Sequence, residues 1–138
     1  SLVYFGYTFC PDVCPLDAQK LATALRTFEK HDPARAAKVV PVFVTVDPER
    51  DTTAVLKDFV TAFHPRLVGL GGSVAQVDAA KKAYRVYAKK AGPEGAADYL
   101  IDHTAMIYLM GPDGAPISFT DHTGTADQIA ADLDKYVR

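Results

Sequence analysis

The chain has 138 residues, 49% of them apolar, with 15 basic and 17 acidic side chains for a net charge of −2. Residues 1–138 are expected to form one domain whose core needs no disulfide staples. The near-neutral balance and the lack of a long basic run argue against nucleic acid or an anionic membrane as the primary partner. No stretch reaches the ~20 apolar residues of a membrane span.

Leu2–Gly6 reads as a buried strand and therefore as an abrupt beginning, so an N-terminal part carrying any export signal or anchor is expected to be missing. A helix follows over about Pro15–Lys30, with Leu21, Leu25 and Phe28 on one face, and Asp32-Pro33 ends it. Val39–Val46 is nearly all apolar, as a central strand covered on both faces would be, with Pro41 near its start or beside an unpaired edge. Asp47-Pro48-Glu49-Arg50-Asp51-Thr52 is a turn in which Asp51 or Thr52 caps a helix over about Thr53–Phe63. Next come a short strand over Arg66–Leu70, a Gly71-Gly72 turn and a helix over about Val74–Lys89. Ser73 caps that helix, and Val77, Ala80, Tyr84 and Tyr87 face inward. Ala91–Ala97 reads as loop. Thr104–Met110 and Ala115–Thr120 are strands joined by the turn Gly111-Pro112-Asp113-Gly114. The last helix covers about Ala126–Val137, with Ile129, Leu133 and Val137 inward.

Alternation of this kind predicts an α/β fold with helices on both faces of a central mixed sheet. Both cysteines lie at its first strand–helix junction, in Gly6-Tyr7-Thr8-Phe9-Cys10-Pro11-Asp12-Val13-Cys14-Pro15. A pair at i and i+4 on a helix shares a face, with Cα atoms ~6 Å apart. That is close enough for a disulfide or for both sulfurs to meet on one ion. The helix N-terminus favours thiolate over thiol, which predicts partly exposed thiols of lowered pKa. Pro15 suits the first helical position. A purely structural disulfide is the plain alternative, although closing three residues gives little entropic benefit. A cysteine pair at this junction reads as a thioredoxin-like domain.

Four histidines could join the thiols. His31 and His64 each end a helix and read as solvated C-terminal charges. His122 sits in a polar loop. His103, in Leu100-Ile101-Asp102-His103-Thr104, directly precedes an apolar strand, and in a thioredoxin-like sheet the turn entering this strand faces the cysteine pair. Thiol oxidoreductases of that fold carry a cis-proline there, whereas this chain has no proline between Tyr99 and Met110 and offers an imidazole. A hydrogen-bonded structural histidine is the other reading of His103. Two thiolates and one imidazole make a soft, three-coordinate set that favours copper, since structural zinc normally takes four ligands.

Three segments together, Tyr4–Pro15, Val44-Thr45-Val46-Asp47-Pro48-Glu49-Arg50-Asp51-Thr52 and Asp102-His103-Thr104, resemble the Sco/SenC family over nearly the whole chain. The resemblance implies a thioredoxin-like fold and copper, as Cu(I) or Cu(II), held by Cys10, Cys14 and His103. It also implies a role in maturing the binuclear copper centre of cytochrome c oxidase subunit II. Other implied features are exchange with another periplasmic copper chaperone and a location on the periplasmic face of a bacterial inner membrane or in the mitochondrial intermembrane space. An N-terminal membrane helix and a leading β-hairpin, usual in the family, precede the first residue here and are expected to be absent from this chain.

Asp12, Asp102 and Asp47 are candidate second carboxylates, orienting His103 or docking a partner. Simple turn-forming aspartates are the alternative. The main expectation is a monomeric metallochaperone and not an enzyme. A thiol–disulfide reductase using Cys10 and Cys14 as its catalytic pair is the second. A peroxidase, lacking a nearby arginine in sequence, is the third.

Overall fold

The computed structural model describes residues 1–8, 13–84, 88–91, 100–103, 106–111, 113–121 and 124–137, with the backbone alone at 13–15, 88–91, 100–103 and 121. The strands are β1 (Leu2–Gly6), β2 (Pro41–Thr45), β3 (Val68–Leu70), β4 (Ala88–Ala91), β5 (Leu100–His103), β6 (Met106–Met110) and β7 (Pro116–Asp121). The helices are α1 (Val13–His31), α2 (Pro33–Ala36), α3 (Thr53–Thr61), α4 (Val74–Tyr84) and α5 (Ala126–Tyr136).

The main sheet has the order β3-β2-β1-β6-β7, and β4 pairs with β5 in a separate ribbon. β1 runs parallel to β2 and β2 to β3, while β6 is antiparallel to both its neighbours. This is the mixed sheet expected from the alternating pattern. All five residues of β1 are buried, as its continuous apolar run requires of a middle strand. Pro41 opens β2, the position where a missing N–H costs least.

Side chains alternate across the sheet. Leu2, Tyr4, Phe43, Ile107 and Leu109 belong to the core, which α1, α3 and α5 cover on one face. On that face Phe59 of α3 packs 5.1 Å from Phe43, and Ile129 and Leu133 of α5 are buried. The other face carries α4, with Tyr84 5.1 Å from Phe5 and 6.0 Å from Tyr108. Helices therefore lie on both faces.

Several boundaries differ from the sequence expectation. Asp32-Pro33 ends α1 but also starts α2, because the Asp32 side chain accepts from the Arg35 N–H. Pro15 is the third residue of α1, still within the turn whose N–H groups have no intrahelical acceptor. Of the helix expected over Val74–Lys89, α4 is described over Val74–Tyr84, and Lys89-Lys90 pair with Asp102 and Ile101 in the β4–β5 ribbon. The strand expected over Thr104–Met110 is Met106–Met110, preceded by the separate β5. Of the inward stripe on α4, Val77 is buried and Ala80 and Tyr84 are partly so, and Tyr87 lies outside the described residues. Of the loop expected over Ala91–Ala97, Ala91 is instead the last residue of β4, paired with Leu100, and 92–97 lie outside the described residues. Ser73 and Gln76 cap α4 by reciprocal side chain–backbone bonds of 3.1 and 2.9 Å. Gly114 turns the β6–β7 hairpin with φ +79°, a left-handed conformation that suits glycine.

Candidate metal centre

The end of the sheet where β1 and β2 finish is built by three segments. Gly6 pairs with Thr45, so the chain leaves both strands side by side. Val46 N–H donates to Gly6 O at 2.8 Å and extends that pairing by one residue. Beyond Gly6 come Tyr7 and Thr8, and Cys10 follows two residues later. Cys14 is the second residue of α1, at its N-terminal end.

The third segment arrives from β5. Tyr4 pairs with Ile107 in the antiparallel β1–β6 register, so the start of β6 points toward the Gly6 end of β1. His103 is the last residue of β5, paired with Ala88, and precedes Met106 by three residues. Three links of chain reach at most about 11 Å, so His103 is tethered to the sheet end where Gly6 finishes β1. Cys10, Asp12 and His122 lie outside the described residues, as do the side chains of Cys14, Asp102 and His103. Among the described residues no three His, Cys, Asp or Glu side chains converge as a metal site.

The turn after β2 is described in full, and it grips the strand that leads to Cys10. Asp51 is buried and takes three hydrogen bonds. Its Oδ2 accepts from Thr8 N–H at 3.0 Å and from the Thr45 hydroxyl at 2.7 Å. Its Oδ1 accepts from the Thr8 hydroxyl at 2.5 Å. Thr45 Oγ1 in turn accepts from Asp47 N–H at 2.9 Å, and Asp51 N–H closes the turn on Asp47 O at 3.0 Å. Thr52, not Asp51, caps α3 by accepting from Val55 N–H.

Asp47 is also buried, with 1% of its side chain exposed, and Arg50 Nε donates to its Oδ2 at 2.5 Å. The Arg50 guanidinium lies over the buried Tyr7 ring, 5.8 Å from its centroid. Asp47 is thus enclosed, with Arg50 between it and the Tyr7 ring. Leu16, just beyond Cys14-Pro15, is 66% exposed.

The remaining histidines divide. His31 is exposed, 3.3 Å from Asp134, as expected for a solvated helix-end charge. His64 corrects the sequence reading: it is buried, its Nε2 2.8 Å from Glu29 Oε1 and its Nδ1 accepting from Arg66 N–H. Sequence reasoning did not foresee the bonds of Asp51 to Thr8 and Thr45. The signal available was a hydroxyl inside the apolar run Val39–Val46, a polar group that a buried strand tolerates only with a partner.

A mixed α/β sheet with a cysteine pair at the first strand–helix junction defines a thioredoxin-like domain. A sequence model of the SCO1/SenC family matches residues 1–138. The chain belongs to that family. It is 43% identical over 139 residues to mouse (Mus musculus) "Protein SCO2 homolog, mitochondrial", covering 99% of this chain and 52% of the relative. It is 42% identical to "Protein SenC" of Rhodobacter capsulatus, covering 94% of this chain and 57% of the relative. The chain thus spans about half the length of the curated relatives it matches. The structure of Bradyrhizobium japonicum ScoI with copper bound superposes with a TM-score of 0.85 at 45% identity, covering 99% of this chain and 83% of that one.

Proposed function

We propose that the protein is a copper chaperone of respiratory oxidase assembly, holding one copper ion through Cys10, Cys14 and His103. The observation that carries this reading is the β1–β6 register, which tethers His103 to the sheet end where Cys14 opens α1. The donor set fits the cargo, because two thiolates and an imidazole suit copper. Family membership and a copper-bound family structure support it.

In this reading the copper ion is cargo, and the binuclear copper centre of oxidase subunit II is its destination. Three ligands leave the site sterically open, so a partner's thiolates can replace Cys10, Cys14 and His103 one at a time. In this reading Asp102, which precedes His103 in sequence, and Asp12, between the two cysteines in sequence, orient the imidazole or meet the partner. A second periplasmic chaperone is the source of the metal. The compartment is the periplasm or the mitochondrial intermembrane space, in keeping with bacterial and mitochondrial relatives. No helix among the described residues is long and apolar enough to cross a membrane, and attachment there would require an N-terminal anchor.

The second reading keeps the same sulfurs and makes the protein a reductase of the oxidase cysteines. One thiolate attacks the target disulfide, and the other resolves the mixed disulfide, leaving the target reduced and Cys10–Cys14 oxidised. Anaerobic copper titration of the reduced protein separates the two. Wild type is expected to bind one equivalent. Cys10→Ser, Cys14→Ser and His103→Ala should each lose more than the roughly 10–100-fold that removal of an outer partner costs. Copper affinity that survives His103→Ala intact overturns the three-ligand site. Rapid disulfide exchange by that variant favours the reductase.

A further inference from the structure

Asp51 is bonded to the strand leading into the cysteines more heavily than a turn residue needs to be. Both oxygens of this buried carboxylate are used, and two of its three bonds go to one residue, Thr8. Those two bonds take the backbone N–H and the side-chain hydroxyl of Thr8 together, so they fix the residue's orientation as well as its position. Thr8 is the last described residue before Cys10. The third bond, from Thr45, ties the carboxylate to the end of β2, a strand whose position the sheet sets. One residue earlier, Tyr7 is buried under the Arg50 guanidinium, which Asp47 holds.

Thr8 is therefore held by a turn 43 positions away in sequence, and α1, which begins with Val13-Cys14, packs on the sheet. We propose that Asp51 is a positioning residue for Cys10: through Thr8 it sets where the first sulfur stands relative to Cys14 and His103. The copper part of this inference rests on the chaperone reading above. The dithiol part does not, because the distance between the two sulfurs also governs how readily they oxidise.

The competing account is that Asp51 only ties two strand ends together and supports folding. Thr8→Val separates the two accounts, since it removes the hydroxyl donor while leaving the N–H bond and nearly the same volume. Thr8→Ser keeps the hydroxyl, and Asp51→Asn supplies a second, independent disturbance. Each is purified as the full chain and checked for native circular dichroism. Two quantities are then measured: copper affinity by anaerobic competition, and the Cys10–Cys14 thiol–disulfide equilibrium constant against glutathione.

Thr8→Val and Asp51→Asn are expected to weaken copper binding roughly tenfold or more, the usual cost of losing an outer partner. They should also shift the dithiol equilibrium constant by about tenfold, which is about 30 mV for this two-electron couple. Thr8→Ser should restore both. A shift in either quantity that Thr8→Ser restores supports the proposal. If both variants melt lower but keep wild-type values of both quantities, Asp51 is structural only and the proposal fails. It also fails if Thr8→Ser does not restore what Thr8→Val loses. If wild type itself binds no copper, the chaperone reading falls, and the dithiol constant alone decides the role of Asp51.

Discussion

His64 Nε2 stands 2.8 Å from Glu29 Oε1, joining the turn before β3 to the last third of α1. Arg66 completes the latch: its guanidinium reaches Glu29 Oε2 at 3.3 Å and the carbonyls of Ala36 and Val39 at 3.2 and 3.0 Å. The chain before β3 is thereby tied to the last third of α1 and to the chain between α2 and β2, at the end of α1 opposite Cys14.

This latch gives stability a defined acid limb. Burial pushes the Glu29 carboxyl up, but the hydrogen bonds from His64 and the cationic Arg66 outweigh it and hold the group below its usual value of 4.5. A lowered folded-state value means that ionised Glu29 favours the fold above about pH 4.5. That contribution is lost as pH falls through the lower folded value. Glu29→Gln is expected to cost about 0.5–1 kcal/mol at neutral pH, with the gap closing below pH 4.5. Urea unfolding at a series of pH values checks this.

Copper affinity should fall in acid for a separate reason. Thiolate and imidazole ligands must shed protons to bind, so the apparent affinity is expected to drop roughly tenfold or more between about pH 7 and 5. Competition with a chelator of known pH dependence measures it. A flat profile would mean that no ligand sheds a proton on binding and would overturn the thiolate–imidazole set.

Gly69 marks a close approach. A Cβ there would meet Leu56 Cβ at 3.1 Å and Leu56 O and Val60 Cγ1 at 3.4 Å, so α3 sits almost directly on the edge strand β3. Gly69→Ala is expected to push α3 outward and cost about 1–3 kcal/mol, read as a lower denaturant midpoint with unchanged copper stoichiometry.

Thr125 starts α5 with a full capping box: its side chain accepts from Gln128 N–H, and the Gln128 side chain accepts from Thr125 N–H. Thr125→Ala should cost about 1 kcal/mol, visible as a lower melting temperature. Thr125→Ser should recover most of it.

Much of the fold was legible because single elements carried their own pattern. β1 and β2 are apolar runs, and α1 and α5 show buried residues at helical spacing. The same signals misled at Ala88-Lys89, expected as the end of a helix because Ala and Lys favour helix by propensity, whereas pairing with β5 makes them strand. His64 was illegible because its partner Glu29 lies 35 residues earlier. At the site, residue type and spacing pointed to Cys10, Cys14 and His103. The work of Asp51 could not be seen, since a turn aspartate has the same local sequence whether it caps a helix or reaches across to another strand.

The second face of the sheet is thinly roofed. Among the described residues α4 alone lies over it, with Val77 its one fully buried residue, while Val74 remains 51% exposed. Warming should therefore peel α4 away before the three-helix side gives way, with its amides exchanging for deuterium earlier than those of α1. The molecule would come apart from its back, leaving the end of the sheet where β1 and β2 finish among the last parts to go.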